Sequence, residues 1–313
     1  MKTFIQKIIV LTICTIALAS CEDVVKIKLD KGSKLVVIDA FIDDLRKPQI
    51  VRVLNNADYF SGEASEPISN AQVVLKDLTA NKSYTFTYAG NGNYQFNLTV
   101  NDTIAKTNHQ YELNVSVNGN LYTAIATQKR RAIASKIDLK KDFPFIDTSG
   151  IFLGIADTLI EPSGFGGNQP KPYYTSLLFA VDIADNNPDY YRIKVFRNDT
   201  LFSKAGDIIV CVDGTNGEIY NSTEPANFFS PPATFLGFKE YQKNDKCRAE
   251  IHSISRDAYN FFIQAQAQVS NGGLFATTPE NVRTNIVSPK DGIKGVGWFN
   301  MASVTTSSLV MGL

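Results

Sequence analysis

Short runs of β-branched and aromatic residues, separated by turn residues, recur along this chain and limit it to a mainly β fold. Residues 83–88 alternate polar and apolar side chains with the period of a half-buried strand. An Asn118-Gly119 pair separates the runs at 111–117 and 121–126, and such a pair favours a tight β-hairpin. Short strands at this spacing predict an immunoglobulin-like β-sandwich domain over residues 34–131.

A second β-sandwich domain is predicted over residues 132–313, with long loops and one amphipathic helix. Apolar residues recur there on one face of a helix: Ile254, Ala258, Phe261, Ala265 and Val269. The helix is predicted over about residues 254–270, with Ser253 or Ser255 as its N-cap. The predicted fold class is therefore mainly β, with two immunoglobulin-like sandwich domains.

The N-terminus has the pattern of a bacterial lipoprotein signal. Residues 1–20 combine a short basic start, an apolar run too short to span a bilayer and a small-residue cleavage site. Cys21 follows Leu-Ala-Ser directly, as in a lipobox, so we expect a cleaved signal peptide and a lipidated Cys21 thiol. The alternative is a cysteine that stands at this place by chance. Several acyl chains on one residue hold a protein on a bilayer almost permanently, so residues 21–33 are predicted to be a lipidated tether.

Two acidic residues, Glu22 and Asp23, follow this cysteine. In some bacteria with two membranes, acidic residues here direct lipoproteins to the outer face of the outer membrane. A solvated tether without any address is the alternative interpretation. We expect a protein anchored in outer-membrane lipid, with the cell surface favoured over the periplasmic face.

The charge balance bears on the class of partner. Loss of Lys2 and Lys7 with the signal peptide leaves 29 basic and 31 acidic residues, a net charge of −2. No segment is strongly basic, which argues against nucleic acid as a partner.

Two cysteines remain beyond the lipidation site, Cys211 and Cys247. Both lie beside strand-like runs in a chain predicted to work outside the cytoplasm, where disulfides persist. A disulfide between them is predicted, and two buried thiols are the alternative. Metal ligation is not expected, because no nearby His or Cys completes a ligand set.

The sequence contains no recognisable catalytic motif. Only two histidines occur, His109 and His252, and neither lies in a nucleophile or metal motif. Acidic pairs such as Asp43-Asp44 are interpreted as solvated surface groups, and the segment 213–218 as a turn rather than a calcium loop. The chain is therefore expected to be no enzyme and to need no cofactor or metal.

Three Asp-Thr-apolar triplets place threonine where some bacteria attach O-glycans to exported proteins: Thr103, Thr158 and Thr200. Three β-turns that begin with aspartate are the alternative.

Aromatic residues also gather in predicted loops rich in Gly and Pro, where regular strands are not expected. These candidates for a contact surface are Phe143, Phe145, Phe165, Tyr173, Tyr174, Phe228, Phe229 and Phe235. Such rings either pack down as lids or meet a partner.

Several loose motifs occur in a familiar order along the chain: Asp58-Tyr59-Phe60, residues 67–71, residues 279–286 and residues 295–299. With the lipobox, they resemble Bacteroidota lipoproteins catalogued as domain of unknown function 4249, over essentially the whole mature chain. Members are commonly encoded beside TonB-dependent outer-membrane receptors. The resemblance therefore implies an accessory role in nutrient capture, and it brings no catalytic residues with it.

Two hypotheses about function follow. In the first, the protein is a substrate-binding or gating accessory of a TonB-dependent receptor, with a small-molecule or peptide ligand. In the second, it is a structural or adhesive surface lipoprotein with no role in uptake. Aromatic residues gathered around one cleft would favour the first hypothesis.

Overall fold

Seven strands build the N-terminal half of the fold in a computed structural model. The structure describes residues 34–57, 64–99, 104–140, 174–202, 207–220, 234–239, 241–242, 244–269, 282–290 and 292–311. The strands are β1 Val36–Asp43, β2 Gln49–Asn55, β3 Gln72–Asp77, β4 Lys82–Gly90, β5 Asn93–Phe96, β6 Gln110–Val117 and β7 Asn120–Thr127. Most of them bury every second residue, so that one face of each strand lines a shared apolar core.

Nine further strands and one helix follow in the described residues. The strands are β8 Ala134–Lys140, β9 Tyr174–Val181, β10 Tyr190–Arg197, β11 Thr200–Leu201, β12 Ile209–Asp213, β13 Glu218–Tyr220, β14 Thr234–Lys239, β15 Lys246–Ile254 and β16 Gly295–Val310. A second core lies on the face of β10 that carries Tyr191, Ile193 and Val195. The mainly β prediction is confirmed.

The last strand, β16, joins the two halves. Its residues 295–302 pair in parallel with β1, and its residues 303–310 pair antiparallel with β15. Phe299 and Met301 belong to the first core, while Leu309 packs against the second. Residues 34–313 form one compact unit. The domain boundary at residue 131 stays a prediction. The sequence analysis did not predict that the C-terminal strand β16 would pair with β1 of the N-terminal sheet.

Local turn chemistry agrees with the sequence. Asn118 and Gly119 have φ angles of 50° and 78°, and they connect β6 to β7 as the predicted hairpin. Gly297 has a φ of 103° within β16, where an added Cβ atom would fall on the carbonyl oxygen of Ile38. Glycine is therefore required where β16 passes β1.

The predicted helix, α1, spans Arg256–Val269. Ser255 is its N-cap, because the Ser255 hydroxyl accepts a hydrogen bond of 3.1 Å from the Ala258 amide. Ala258 and Phe262 are its buried residues, whereas Val269, placed on the apolar face by the prediction, is 56% exposed. Among the described residues, no helix is long and apolar enough to cross a membrane.

Candidate functional site

A cleft of about 800 Å³ opens on the side of the sheet opposite these two cores. It lies beside a third apolar cluster, which includes Phe262 and Trp298 and has Phe41 and Phe261 packed against it. Strand alternation explains its position. Ile38 and Ala40 of β1 lie in the first core, so Val37, Asp39 and Phe41 face outward into the cleft. Strand β10 forms the opposite wall and α1 packs nearby, and we call this space the β10 cleft.

Two cations project from β10 into the cleft, Arg192 and Lys194. Their neighbours Tyr191 and Ile193 are buried in the second core, so the alternating strand turns both basic residues outward. Neither head group forms a hydrogen bond or ion pair with any residue that the structure describes. Burial lowers the pKa of Arg192 to about 10, and burial together with the charge of Arg192 lowers the pKa of Lys194 to about 8.

Aromatic rings surround the Arg192 guanidinium. It lies 4.2 Å from the ring centre of Phe262 and 5.3 Å from that of Phe41. Phe261 stacks on Trp298 at 5.1 Å between ring centres and lies 6.4 Å from Phe41. The rings therefore form one continuous wall, which holds the cation by cation–π contact.

The other basic residues of the cleft have acidic partners. Arg52 forms an ion pair of 2.6 Å with Asp39, and Lys47 forms one of 2.8 Å with Asp43. These contacts satisfy the charges at the rim. The uncompensated positive charge of the cleft is therefore concentrated on β10.

A buried acid–imidazole pair lies on the same sheet face, in strand β15. Glu250 pairs across the strands with Lys194, but its carboxylate contacts Arg248 and lies 3.0 Å from Nε2 of His252. Burial raises the pKa of Glu250, yet the His252 contact and the Lys47 charge outweigh it and hold the pKa at about 2. Burial, aided by Lys194, lowers the pKa of His252 to about 4. This imidazole is therefore neutral at pH 7.

A cluster of three aspartates lies away from the cleft. Carboxylate oxygens of Asp182, Asp189 and Asp213 lie within 4.8 Å of one another, close enough to hold a metal ion. Arg130, however, pairs with Asp182 and, at 2.8 Å, with Asp189, and the Tyr191 hydroxyl donates to Asp182. An arginine thus supplies the positive charge there, and we interpret the cluster as a structural junction.

Comparison with known proteins places the chain in a family. The model of a family described as Domain of unknown function (DUF4249) matches residues 22–308. The chain belongs to this family. The inferred membership of this family is thereby confirmed, whereas the Bacteroidota lipoprotein origin and the receptor context stay predictions. No curated protein matches the chain.

One similar solved structure comes from work on host cell surface retention of a 1.5-MDa bacterial ice-binding adhesin. It is 11% identical, with a TM-score of 0.19, and the match covers 89% of this chain. The DUF4249 chain covers 65% of that chain, which is less than two thirds of its length. A TM-score this low carries no argument about fold or function.

The predicted disulfide between Cys211 and Cys247 is wrong. Cys211 lies opposite Tyr191 of β10, whereas Cys247 lies opposite Arg197, six residues further along the same strand. At about 3.3 Å per residue, roughly 20 Å separates these positions, far beyond disulfide reach. Both thiols are buried: Cys211 Sγ lies 3.3 Å from the Thr234 hydroxyl, and Tyr241 donates to Cys247 Sγ at 3.2 Å.

The predicted aromatic contact surface is described only in part. Tyr174 lies in β9 and Phe235 in β14, and these two strands pair with each other, so the loop prediction is wrong for both residues. The segment around Phe235 combines aromatic residues with Gly and Pro, a composition that favours a loop. Backbone pairing with β9 nevertheless makes it a strand. The remaining members lie outside the described residues: Phe143, Phe145, Phe165, Tyr173, Phe228 and Phe229.

The other candidate positions are placed as follows. Cys21, Thr103 and Thr158 lie outside the described residues, and their modification stays a prediction. Thr200 is exposed and follows Asn198 and Asp199, whose φ angles of 49° and 64° form the turn from β10 to β11. A turn is present there, but Asp199 is its third residue rather than its first, and the glycosylation of Thr200 stays a prediction.

Further acidic residues are also placed. The segment 213–218 forms the β12–β13 turn, in which the Gly217 amide bonds to the Gly214 carbonyl at 2.8 Å, as predicted. The interpretation of Asp43 as a solvated surface acid is wrong, because Asp43 is only 2% exposed and forms an ion pair with Lys47. Asp44 contacts Arg131.

Sequence analysis missed the residues that define the β10 cleft. A strand with apolar residues at 191, 193 and 195 and cations at 192 and 194 has the same pattern as a strand whose polar face meets water. One available signal was Phe41, an aromatic residue on the outward face of β1. Trp298, at the outward position beside Phe299 in β16, was the other.

Proposed function

We propose that this chain is a lipid-anchored outer-membrane lipoprotein that binds a ligand in the β10 cleft, as an accessory of a TonB-dependent receptor in nutrient uptake. The observation that carries the binding role is the pair of cations, Arg192 and Lys194, which form no ion pair with any described residue and face an aromatic-walled space of about 800 Å³. Pockets for small molecules have volumes of this order. A purely structural wall would pair these cations, as Arg52 and Lys47 are paired at the rim.

The anchor in this proposal rests on the signal sequence and Cys21. Cys21→Ala should release the protein from the envelope or leave an uncleaved precursor, whereas wild-type chain should sediment with outer membranes. Intact-mass analysis of the wild-type chain should show a diacylglyceryl and an acyl group. An unmodified, water-soluble wild-type chain would contradict the anchor.

The receptor partnership rests on the family resemblance, and affinity purification tests it. Full-length tagged chain is purified from detergent-solubilised envelopes of the bacterium that makes it, with a tagged unrelated lipoprotein as control. Mass spectrometry should find a TonB-dependent receptor enriched with the wild-type chain alone. Equal recovery of receptors in both samples would contradict the partnership.

A matched pair of substitutions on α1 tests ligand binding in the β10 cleft. Ala265 lines the β10 cleft, whereas Ala267 is exposed on the same helix. Ala265→Trp should fill the cleft and abolish a co-purifying small molecule in native mass spectrometry, while Ala267→Trp should retain it. If both variants behave as wild type in ligand content and in uptake, the second hypothesis, a structural or adhesive lipoprotein, replaces this one.

We further propose that the role is non-catalytic. The two histidines of the chain are engaged with carboxylates, since His109 Nδ1 lies 2.8 Å from Asp77 and His252 contacts Glu250. Both contacts hold the imidazoles in structural networks. Hydrolysis of a panel of ester, glycoside and phosphate substrates at a rate above that of a heat-denatured control would contradict this assignment.

A further inference from the structure

We infer that the β10 cleft takes a small organic anion with a flat apolar body, bound by Arg192 and Lys194 at its charged end and by the rings of Phe41 and Phe261 along its body. This inference rests on the proposed binding function and names the chemical class of the ligand.

The first argument is the unused hydrogen-bonding capacity of the cations. A guanidinium carries five N–H donors and an ammonium carries three. Arg192 and Lys194 donate to no described residue, although both are partly buried. A carboxylate, sulfonate or phosphate can accept two parallel bonds from an arginine, and an anion is thus the group that completes this site.

The second argument is that nearby carboxylates have other contacts. Asp39 contacts Arg52 at 2.6 Å, and Asp43 contacts Lys47 at 2.8 Å. Glu250 lies between Arg248 and His252. Asp39, Asp43 and Glu250 therefore each have a cationic or imidazole partner in direct contact, and among the described residues their charges only partly offset those of Arg192 and Lys194.

The third argument concerns the body of the ligand. Phe41 and Phe261 are only partly buried, and both line the cleft beside the Arg192 site. A bare inorganic anion would leave most of the 800 Å³ space and these ring surfaces in contact with water. A molecule with one or two rings attached to its anionic group would fill this space and cover the ring surfaces of Phe41 and Phe261.

The test compares two isosteric probes, naphthalene-2-sulfonate and neutral naphthalene-2-sulfonamide. Full mature lipoprotein in a non-ionic detergent is titrated with each probe at pH 7 by calorimetry, and a titration into detergent alone is subtracted. Wild-type chain should bind the sulfonate at least about tenfold more tightly than the sulfonamide, as expected for a charge-assisted contact.

Substitutions locate the binding. Arg192→Met and Lys194→Met should each remove most of the tenfold preference and leave sulfonamide affinity within about twofold. Arg256→Met, which removes an exposed arginine from α1, is the matched control and should retain the full preference. Ala265→Trp should abolish binding of both probes, and circular dichroism confirms that each variant is folded.

The outcomes separate the inference from the proposed function. Equal affinity for the two probes, both displaced by Ala265→Trp, would overturn the anionic class and keep the cleft as a binding site. Binding that survives Ala265→Trp would overturn the location. If neither probe binds, the inference about the ligand class is overturned. The proposed function would then be tested separately, by whether a small molecule co-purifies with wild-type chain and not with Ala265→Trp in native mass spectrometry.

Discussion

The guanidinium of Arg192 lies 4.2 Å from the ring centre of Phe262, and this contact joins a strand of the C-terminal sheet to the helix that covers it. Phe41, which contributes the second ring at 5.3 Å, comes from the N-terminal half. Strand β16 pairs with β1 and β15, so β10 and β1, which carry Arg192 and Phe41, belong to one continuous hydrogen-bonded sheet. The geometry of the cation site therefore depends on the sheet rather than on loops.

We expect Arg192→Met to leave thermal stability unchanged or to raise it. The cation is partly desolvated and forms no ion pair with a described residue, and a methionine side chain keeps the contacts with the rings without that desolvation cost. Phe262→Ala, by contrast, removes a buried ring and should cost about 3 kcal/mol or more. Thermal unfolding followed by circular dichroism compares the two variants. A clear loss of stability in Arg192→Met would show that the cation supports the fold.

Lys194 should make both stability and anion binding depend on pH above neutrality. Its pKa of about 8 lies below the ordinary value of 10.5, because of burial and the nearby charges of Arg192 and Lys47, which Asp43 and Glu250 only partly offset. The unfolded chain therefore holds more protons between pH 8 and 10.5, and stability contributed by this group rises with pH across that window.

Urea unfolding at several pH values measures this effect, with Lys194→Met as the reference. The wild-type chain should gain stability relative to the variant from pH 8 to 10.5. Affinity for naphthalene-2-sulfonate should fall over the same range as the ammonium loses its proton. Parallel stability curves for the two proteins would contradict the lowered pKa.

His252 should contribute to acid sensitivity. Its pKa of about 4 lies below the ordinary value of 6.5, chiefly because of burial. Between these values the unfolded chain binds a proton that the folded chain does not, so stability falls as the pH drops from 6.5 to 4. Glu250, with a pKa of about 2 against 4.5, extends the loss down to about pH 2.

The variant His252→Gln keeps a polar group beside Glu250 and removes the titration. Its stability should decline less steeply than that of wild type between pH 6.5 and 4 in urea titrations. Identical slopes would mean that folding does not lower the pKa of this imidazole.

The elements that sequence analysis predicted are those with local signals. The β6–β7 hairpin depends on Asn118 and Gly119, and the start of α1 on Ser255, all within a few residues of the structure they specify. Strand β16 is different, because Trp298 pairs with Asp39 across more than 250 residues of chain, and no local pattern specifies such a pairing. The cleft depends on that pairing.

The cysteines show the same limitation. Cys211 and Cys247 each lie in a strand, as the sequence indicated. The register of these strands against β10 places the two cysteines far apart, and the sequence does not reveal that register. We expect thiol labelling of the unfolded, unreduced mature chain to modify both Cys211 and Cys247. Protection of both residues until a reductant is added would contradict the register of β10 with its two neighbours.

Gly297 should be among the most sensitive positions of the fold. It has a φ of 103°, and a Cβ atom there would fall on the carbonyl oxygen of Ile38, a backbone atom that cannot move without separating β1 from β16. Gly297→Ala should therefore cost more than about 2 kcal/mol in urea unfolding and weaken binding in the cleft that Gly297 lines.

The matched control is Gly119→Ala. Gly119 also has a positive φ, of 78°, but an added Cβ atom would meet nothing within 4 Å. This variant bears the backbone strain alone, about 1 kcal/mol, and should bind naphthalene-2-sulfonate as wild type does. Equal losses of stability in the two variants would mean that β1 and β16 can separate without cost. The close approach of the two strands would then not be what holds the two walls of the β10 cleft together.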